Sequence, residues 1–202
     1  MNSPWINELH YDNASSDVDE GFEIAGPAGL DLAGWTLVTY NGNGGGVIDS
    51  IPLGGVLADD GSGFGFLFFA DSGMQNGSAD GLALVAPGGN VVEFLSYEGV
   101  VLAVGGAAAG LTSSDIGVSE SSSTPVGHSL QRQGQGSQGT DFIWAAPGPH
   151  TRGAVNTSQT LVSPIPVPML SSGGMIGWAV VLLASGAWTA GQAVWGSTRK
   201  GD

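Results

Sequence analysis

Leu82-Ala83-Leu84-Val85-Ala86-Pro87-Gly88-Gly89-Asn90-Val91-Val92-Glu93-Phe94-Leu95-Ser96 decides the fold class. Two short apolar runs flank a break of Pro, Gly, Gly and Asn, residues that take turn geometry readily. The spacing predicts strands over Leu82–Ala86 and Val91–Ser96 joined by a tight hairpin. The pattern repeats outward in both directions. Strands are expected at Trp5–Leu9, Glu20–Ala25, Trp35–Tyr40, Val47–Ile51, Phe64–Ala70, His128–Arg132 and Phe142–Trp144. Asn41-Gly42-Asn43-Gly44-Gly45-Gly46, Asp59-Asp60-Gly61-Ser62-Gly63, Asp71-Ser72-Gly73 and Asn76-Gly77 punctuate them. No stretch before residue 164 carries a sustained helical period with caps. Many short strands at such spacing mean an antiparallel sandwich or barrel, not a parallel α/β sheet.

Phe64-Gly65-Phe66-Leu67-Phe68-Phe69 is the most hydrophobic strand. Its period of two puts Phe64, Phe66 and Phe68 on one face and Leu67 and Phe69 on the other. A central strand covered on both sides is expected, because an edge of this kind invites aggregation. Trp35 is expected in the core, and Trp144 likewise, with a capping role near the domain's end as the alternative. Ser113 to Gly139 reads as a long surface excursion that returns through His128–Arg132, with Gly134 to Gly139 as a loop. From Gly153 to Pro168 the chain is expected to leave the domain as a semi-extended spacer.

Lys and Arg total 4 against 18 Asp and Glu, and the first basic residue is Arg132. Such a chain repels phosphate backbones and has no basic patch to release counterions, so a nucleic-acid role for the domain is excluded. The absence of cysteine excludes disulfides, thiolate nucleophiles and Cys-based zinc sites.

The C-terminal region adds a different signal. Pro164-Ile165-Pro166-Val167-Pro168 leads into Met175 to Trp195, an uncharged apolar run, and Arg199-Lys200 follow. A helix of that length spans a hydrocarbon core of about 30 Å. Trp178 and Trp195 sit near its ends, and the basic pair predicts a cytoplasmic C-terminus with the domain outside. A buried helix of a soluble domain is the alternative. Gly173 and Gly177 form a G-x-x-x-G that could pair such helices, or could arise by chance in a Gly-rich segment. Met1-Asn2-Ser3-Pro4 lacks the basic and apolar regions of a secretory signal. A leader upstream is the expectation, with a misassigned start or tail-directed insertion as alternatives.

Ile6-Asn7-Glu8-Leu9-His10-Tyr11-Asp12-Asn13, Glu20-Gly21-Phe22-Glu23-Ile24-Ala25-Gly26 and Asp31-Leu32-Ala33-Gly34-Trp35-Thr36-Leu37 succeed one another here. This succession resembles the bacterial lamin tail domain family. Asp115 through Gly127, and Trp144 through Pro147-Gly148 to Gly153-Ala154-Val155-Asn156, are similar to segments of its extracellular branch. The resemblance covers about residues 5–160. It implies an immunoglobulin-like β-sandwich without catalytic machinery, with Glu8 and Glu23 as structural strand positions. In extracellular relatives the module is joined to an endonuclease/exonuclease/phosphatase-type domain. Pro168-Met169-Leu170-Ser171-Ser172-Gly173-Gly174-Met175-Ile176 is similar to bacterial C-terminal sorting signals of the IPTL-CTERM type. It departs from them at Met169, where Thr is usual, and at Gly173, where Trp is usual.

The densest group of hard oxygen ligands is Asp12, Asp17, Asp19 and Glu20, with Glu23 nearby. Calcium tolerates such loops, although the spacing is not that of an EF-hand; the alternative is a solvated turn. Glu93 with Glu98, and Glu20 with Glu23, are the close carboxylate pairs a glycosidase would need, but no motif surrounds either. No G-x-S-x-G elbow accompanies His10, His128 or His150, and the Gly42–Gly45 turn lacks the Lys and Ser/Thr of a phosphate loop. The expectation is therefore an all-β protein: an immunoglobulin-like antiparallel β-sandwich over 1–160, a spacer over 161–172, and a transmembrane sorting or anchor segment over 173–202. It is expected to be a non-catalytic surface or matrix interaction module at the cell envelope. Its expected contacts are the membrane through 175–195, a processing enzyme at the tail, and a protein or glycan. No cofactor is expected beyond possible calcium. An accessory module for an extracellular hydrolase and a calcium-dependent adhesion module are the alternatives.

Overall fold

The computed structural model describes residues 3–77 and 79–163. Eleven strands occur among them: β1 Trp5–His10, β2 Gly21–Pro27, β3 Thr36–Asn41, β4 Val47–Pro52, β5 Phe64–Ala70, β6 Asp80–Val85, β7 Val91–Tyr97, β8 Ser114–Asp115, β9 His128–Gly136, β10 Ile143–Pro149 and β11 Gln159–Leu161. A single 3-10 turn covers Gly139–Asp141. The fold is all-β, a sandwich of two sheets. The first runs β10-β9-β1-β2-β5, with β11 added beside β9; the second runs β4-β3-β6-β7-β8. Pairing is antiparallel except for β11 on β9 and β8 on β7. The hairpin expected from Pro87–Asn90 forms between β6 and β7, closed by the Ala86 N–H donating to Asn90 O at 2.8 Å.

Strand alternation sorts the side chains. Ile6, Leu9, Phe22, Ile24 and Leu130 from the first sheet meet Leu37, Leu82, Leu84 and Leu95 from the second, with Trp35 packed among them. Burying each such side chain contributes about 1.5–3 kcal/mol. Ile6 and Leu9 share this face although they are three apart. A bulge reconciles them, since Asn7 and Glu8 together oppose Glu23 across the β1–β2 ladder. The extra residue turns both Asn7 and Glu8 toward the outer face, where their side chains bond Gln159 and Thr151.

Both outer faces are covered. On the second sheet, Val101, Ala103 and Ala108 lie on Val38, Tyr40, Ala83, Val85 and Phe94. On the first, Trp5, Ala25, Phe64, Phe66 and Phe142 cluster with Leu161. The Phe-rich strand divides its faces as expected, but its position does not match. β5 is an edge strand, not a central one. The chain before it shields the edge: the Asp60 N–H donates to Phe64 O, and a Cβ on Gly65 would lie 2.2 Å from Ala58 O. Covering an edge with a loop removes the hazard that had argued for a central place.

Two further expectations fail. Gly134–Gly139 is not a loop throughout, because β9 continues to Gly136. Nor does the chain leave the domain at Gly153. Asn156 and Gln159 are buried, β11 pairs with Gly134–Gly136, and the Val162 N–H donates to Gly136 O. The domain thus packs beyond residue 160. The Pro-rich spacer from Pro164, the run 175–195 and the G-x-x-x-G lie outside the described residues. Among the described residues, no helix is long and apolar enough to cross a membrane.

Candidate functional site

The acidic loop between β1 and β2 is ordered from within. Asn13 donates through Nδ2 to Ala14 O and Ser16 O, while its Oδ1 accepts the Val18 N–H. Asp17 accepts the Asn13 N–H at 3.2 Å and Asn76 Nδ2 at 2.9 Å, bonds that hold its carboxyl below the ordinary value. Asp12 moves the other way, raised by partial burial and then by the charge of Asp17 beside it. The structure therefore brings Asp12 and Asp17 together. Glu20 is buried at the edge of this group, and burial together with Asp17 raises it. The Asp19 backbone carbonyl accepts from the Arg152 guanidinium. Among the described residues, no three carboxylates or imidazoles converge as a metal would require.

Beneath the loop lies a residue that sequence reasoning missed. Glu120 is 2 % exposed. Its carboxylate accepts the Tyr11 N–H at 2.7 Å, the Asp12 N–H at 3.1 Å and His10 Nδ1 at 2.9 Å. On its other side His10 presents Nε2 to Val18 O at 3.1 Å and to Asn13 Oδ1 at 3.2 Å. The bonds of Asn13 fix that oxygen as an acceptor, so both ring nitrogens face acceptors. An imidazole that donates from both nitrogens is the cation. Burial opposes that charge, but the hydrogen bond and charge of Glu120 outweigh it, and His10 is raised. Tyr11 completes the lock, donating to Glu98 at 3.0 Å, accepting the Glu120 N–H and stacking on Tyr97 with ring centroids 3.9 Å apart.

A second polar system lies on the outer face of the first sheet, and it claims Glu23. Segment 151–162 crosses the β1 bulge and is held by side chains throughout. Glu8 accepts from the Thr151 backbone N–H at 3.1 Å and its hydroxyl at 2.8 Å. Glu23 accepts the Gly153 N–H at 2.6 Å and Asn7 Nδ2 at 3.1 Å. Asn156 inserts its amide where β1 parts from β9, donating to Asn7 O at 2.9 Å and Arg132 O at 3.1 Å. Gln159 and Asn7 exchange amide bonds of 2.8 and 3.3 Å. Burial pushes the Glu23 carboxyl up to about 8 against these donors. So Glu23, grouped with the acidic loop on sequence proximity, belongs to this clasp instead.

A third pair joins the two sheets inside. Arg132 of β9 bonds Glu93 of β7, Ile6 O and Gly139 O, and its guanidinium stacks 5.0 Å from the Trp144 ring. Burial raises Glu93 and lowers Arg132, and their mutual attraction opposes both shifts. Removing one member of such a pair strands a buried charge and costs about 3–5 kcal/mol. The two carboxylate pairs considered for glycosidic chemistry are thus separated by use: Glu93 faces Arg132, Glu98 faces Tyr11, and Glu20 and Glu23 belong to different networks. Comparison of the chain with protein-family models, with curated proteins and with solved structures returns no match.

Proposed function

We propose that this chain is a non-catalytic interaction module of the lamin-tail type, with an immunoglobulin-like sandwich. It is exported and held or sorted at the cell envelope by its C-terminal segment. Its partner is a protein or a glycan, and the acidic surface turns it away from nucleic acid. One observation supports the non-catalytic part: four carboxylates of low exposure are spent on structure. Glu8, Glu23, Glu93 and Glu120 each accept a backbone N–H from a segment remote in sequence. A carboxylate whose oxygens are filled by backbone donors has little left to offer a substrate. The envelope part is supported by the uncharged run at 175–195 with Arg199-Lys200 behind it.

Intact mass of the native protein from separated membrane and medium fractions tests this reading. A full-length mass confined to membranes is expected for an anchor, and a mass ending near Pro164–Pro168 for a sorting signal. Full-length protein in the soluble fraction alone would overturn both.

A further inference from the structure

The path by which the chain leaves the sandwich suggests a mechanical role, which rests on the anchored reading above. β11 lies parallel to β9, with Gln159, Thr160 and Leu161 beside Gly134, Gln135 and Gly136. It is followed at once by Ser163, which lies against Gly63 at the end of the sandwich where β1 begins. The acidic loop and the His10–Glu120 pair lie at the other end, where β1 finishes. A pull applied at Ser163, with the acidic end held, therefore loads β11 along its axis. Hydrogen bonds loaded along a strand share the force and break together, whereas bonds loaded at one end of a strand break one after another.

We propose that segment 151–162 is a tension-bearing lock that keeps the domain folded while its tail is pulled. The side chains reinforce the short ladder in the same sense. Asn156 and Gln159 grip Asn7 and the Arg132 carbonyl from within the segment, and Leu161 is packed with Phe64 and Trp5. Upstream, Thr151 and Gly153 are fastened to Glu8 and Glu23. Slippage of β11 by one residue would break this set together with the backbone bonds Gly134 N–H to Ser158 O and Val162 N–H to Gly136 O. A plain spacer would require none of these buried amides.

Single-molecule pulling on the full chain in detergent tests the proposal, and the absence of cysteine makes the handles unambiguous. One handle is Ser171→Cys in every case. With the second at Ser16→Cys, in the acidic loop, the force runs along β11. With it at Thr140→Cys, beyond the end of β9, the force peels β11 from Leu161 backward. At equal loading rate the first geometry is expected to need at least about twice the force of the second. Gln159→Ala is expected to lower the axial force, and Ser50→Ala, at an exposed position on β4 of the other sheet, to leave it unchanged. Equal forces in the two geometries would overturn the lock, and that comparison needs no mutation within the clasp. Recovery of the native chain only from the medium, by the mass measurement above, would instead overturn the anchored reading and remove the load.

Discussion

The two outer faces of the sandwich are covered in opposite ways. Over the second sheet, residues 99–113 lay down Val101, Ala103 and Ala108, with only short polar ties to the sheet: the Tyr40 hydroxyl accepts the Ala108 N–H at 2.9 Å, and the Ser113 hydroxyl donates to Ser96 Oγ at 2.6 Å. Over the first sheet, residues 151–162 lay down Asn156 and Gln159, fastened to the Asn7 side chain and to the Asn7 and Arg132 carbonyls, while Glu8 and Glu23 hold Thr151 and Gly153. Small apolar contacts are non-directional and tolerate a shift of a few tenths of an ångström. Buried amides do not, because each unmet donor or acceptor costs about 1–3 kcal/mol. The apolar cover therefore supplies area, and the polar cover supplies register. A segment that must not slide is better held by the second kind.

Substitution separates the two most sharply. Asn156→Ala leaves Asn7 O and Arg132 O without their donor, so a loss of about 2–5 kcal/mol is expected from the two unmet carbonyls together. Chemical denaturation reads this directly. Val101→Ala on the opposite cover removes two methyl groups from a site 1 % exposed and should cost only about 2 kcal/mol. If Val101→Ala proved as damaging as Asn156→Ala, the distinction between area and register would fail.

Acidity should act on one cover and spare the other. The folded Glu23 carboxyl, at about 8, lies above its unfolded value of 4.5. Between those limits the folded state binds more protons than the unfolded one. Stability from this group is therefore full below about pH 4.5, falls as pH rises and levels off above 8. The raised His10 adds a loss of the same sign as pH rises above the ordinary imidazole value of 6.5. The cover over the second sheet carries no titratable group from Gly99 to Ser114. Hydrogen exchange, corrected for its intrinsic pH dependence, should show protection of 151–162 falling relative to 99–113 between pH 5 and 8.5. Parallel profiles would mean that Glu23 does not govern its cover.

How much of this was legible depended on the range of the signal. The β6–β7 hairpin is local chemistry, and Pro87–Asn90 specifies it with no help from the rest of the chain. The edge position of β5 was not legible, because its shield is a loop whose docking depends on Gly65 and on the β2 pairing. The clasp was misread for a clearer reason. Asn156-Thr157-Ser158-Gln159 has the composition of an exposed linker, and only the β1 bulge, some 150 residues away, turns Asn7 out to receive it. Ile6 and Leu9, apolar at odd spacing in an alternating strand, were the available hint. Glu120 likewise stood as the only acid between Asp115 and Asp141, in a Ser-rich run where a solvated charge is the ordinary reading. Asp12 and Asp17 were found because they are neighbours in sequence as well as in space. Proximity also drew Glu23 into that group, and there it failed, since β2 carries Glu23 onto the outer face beneath segment 151–162.

The smallest expected effect concerns that acidic loop, where like charges meet with few donors to offset them. Asp12 is raised by burial and by Asp17, whereas Glu8 and Glu23 receive backbone N–H groups. If the loop is a solvated turn, Asp12→Asn relieves the crowding and should raise the melting temperature slightly in chelator. The wild-type domain should then melt at the same temperature with or without 1 mM calcium. A calcium site with a Kd of 0.1–1 mM, the range of extracellular modules, would instead add about 0.4–1.4 kcal/mol at that concentration. Asp12→Asn would then abolish the increment rather than improve on it. Because calcium raises the melting temperature of the wild type alone under one description and of neither protein under the other, one pair of melting curves in chelator and calcium separates them. The turn description predicts the stabilised variant, with calcium leaving both proteins unmoved.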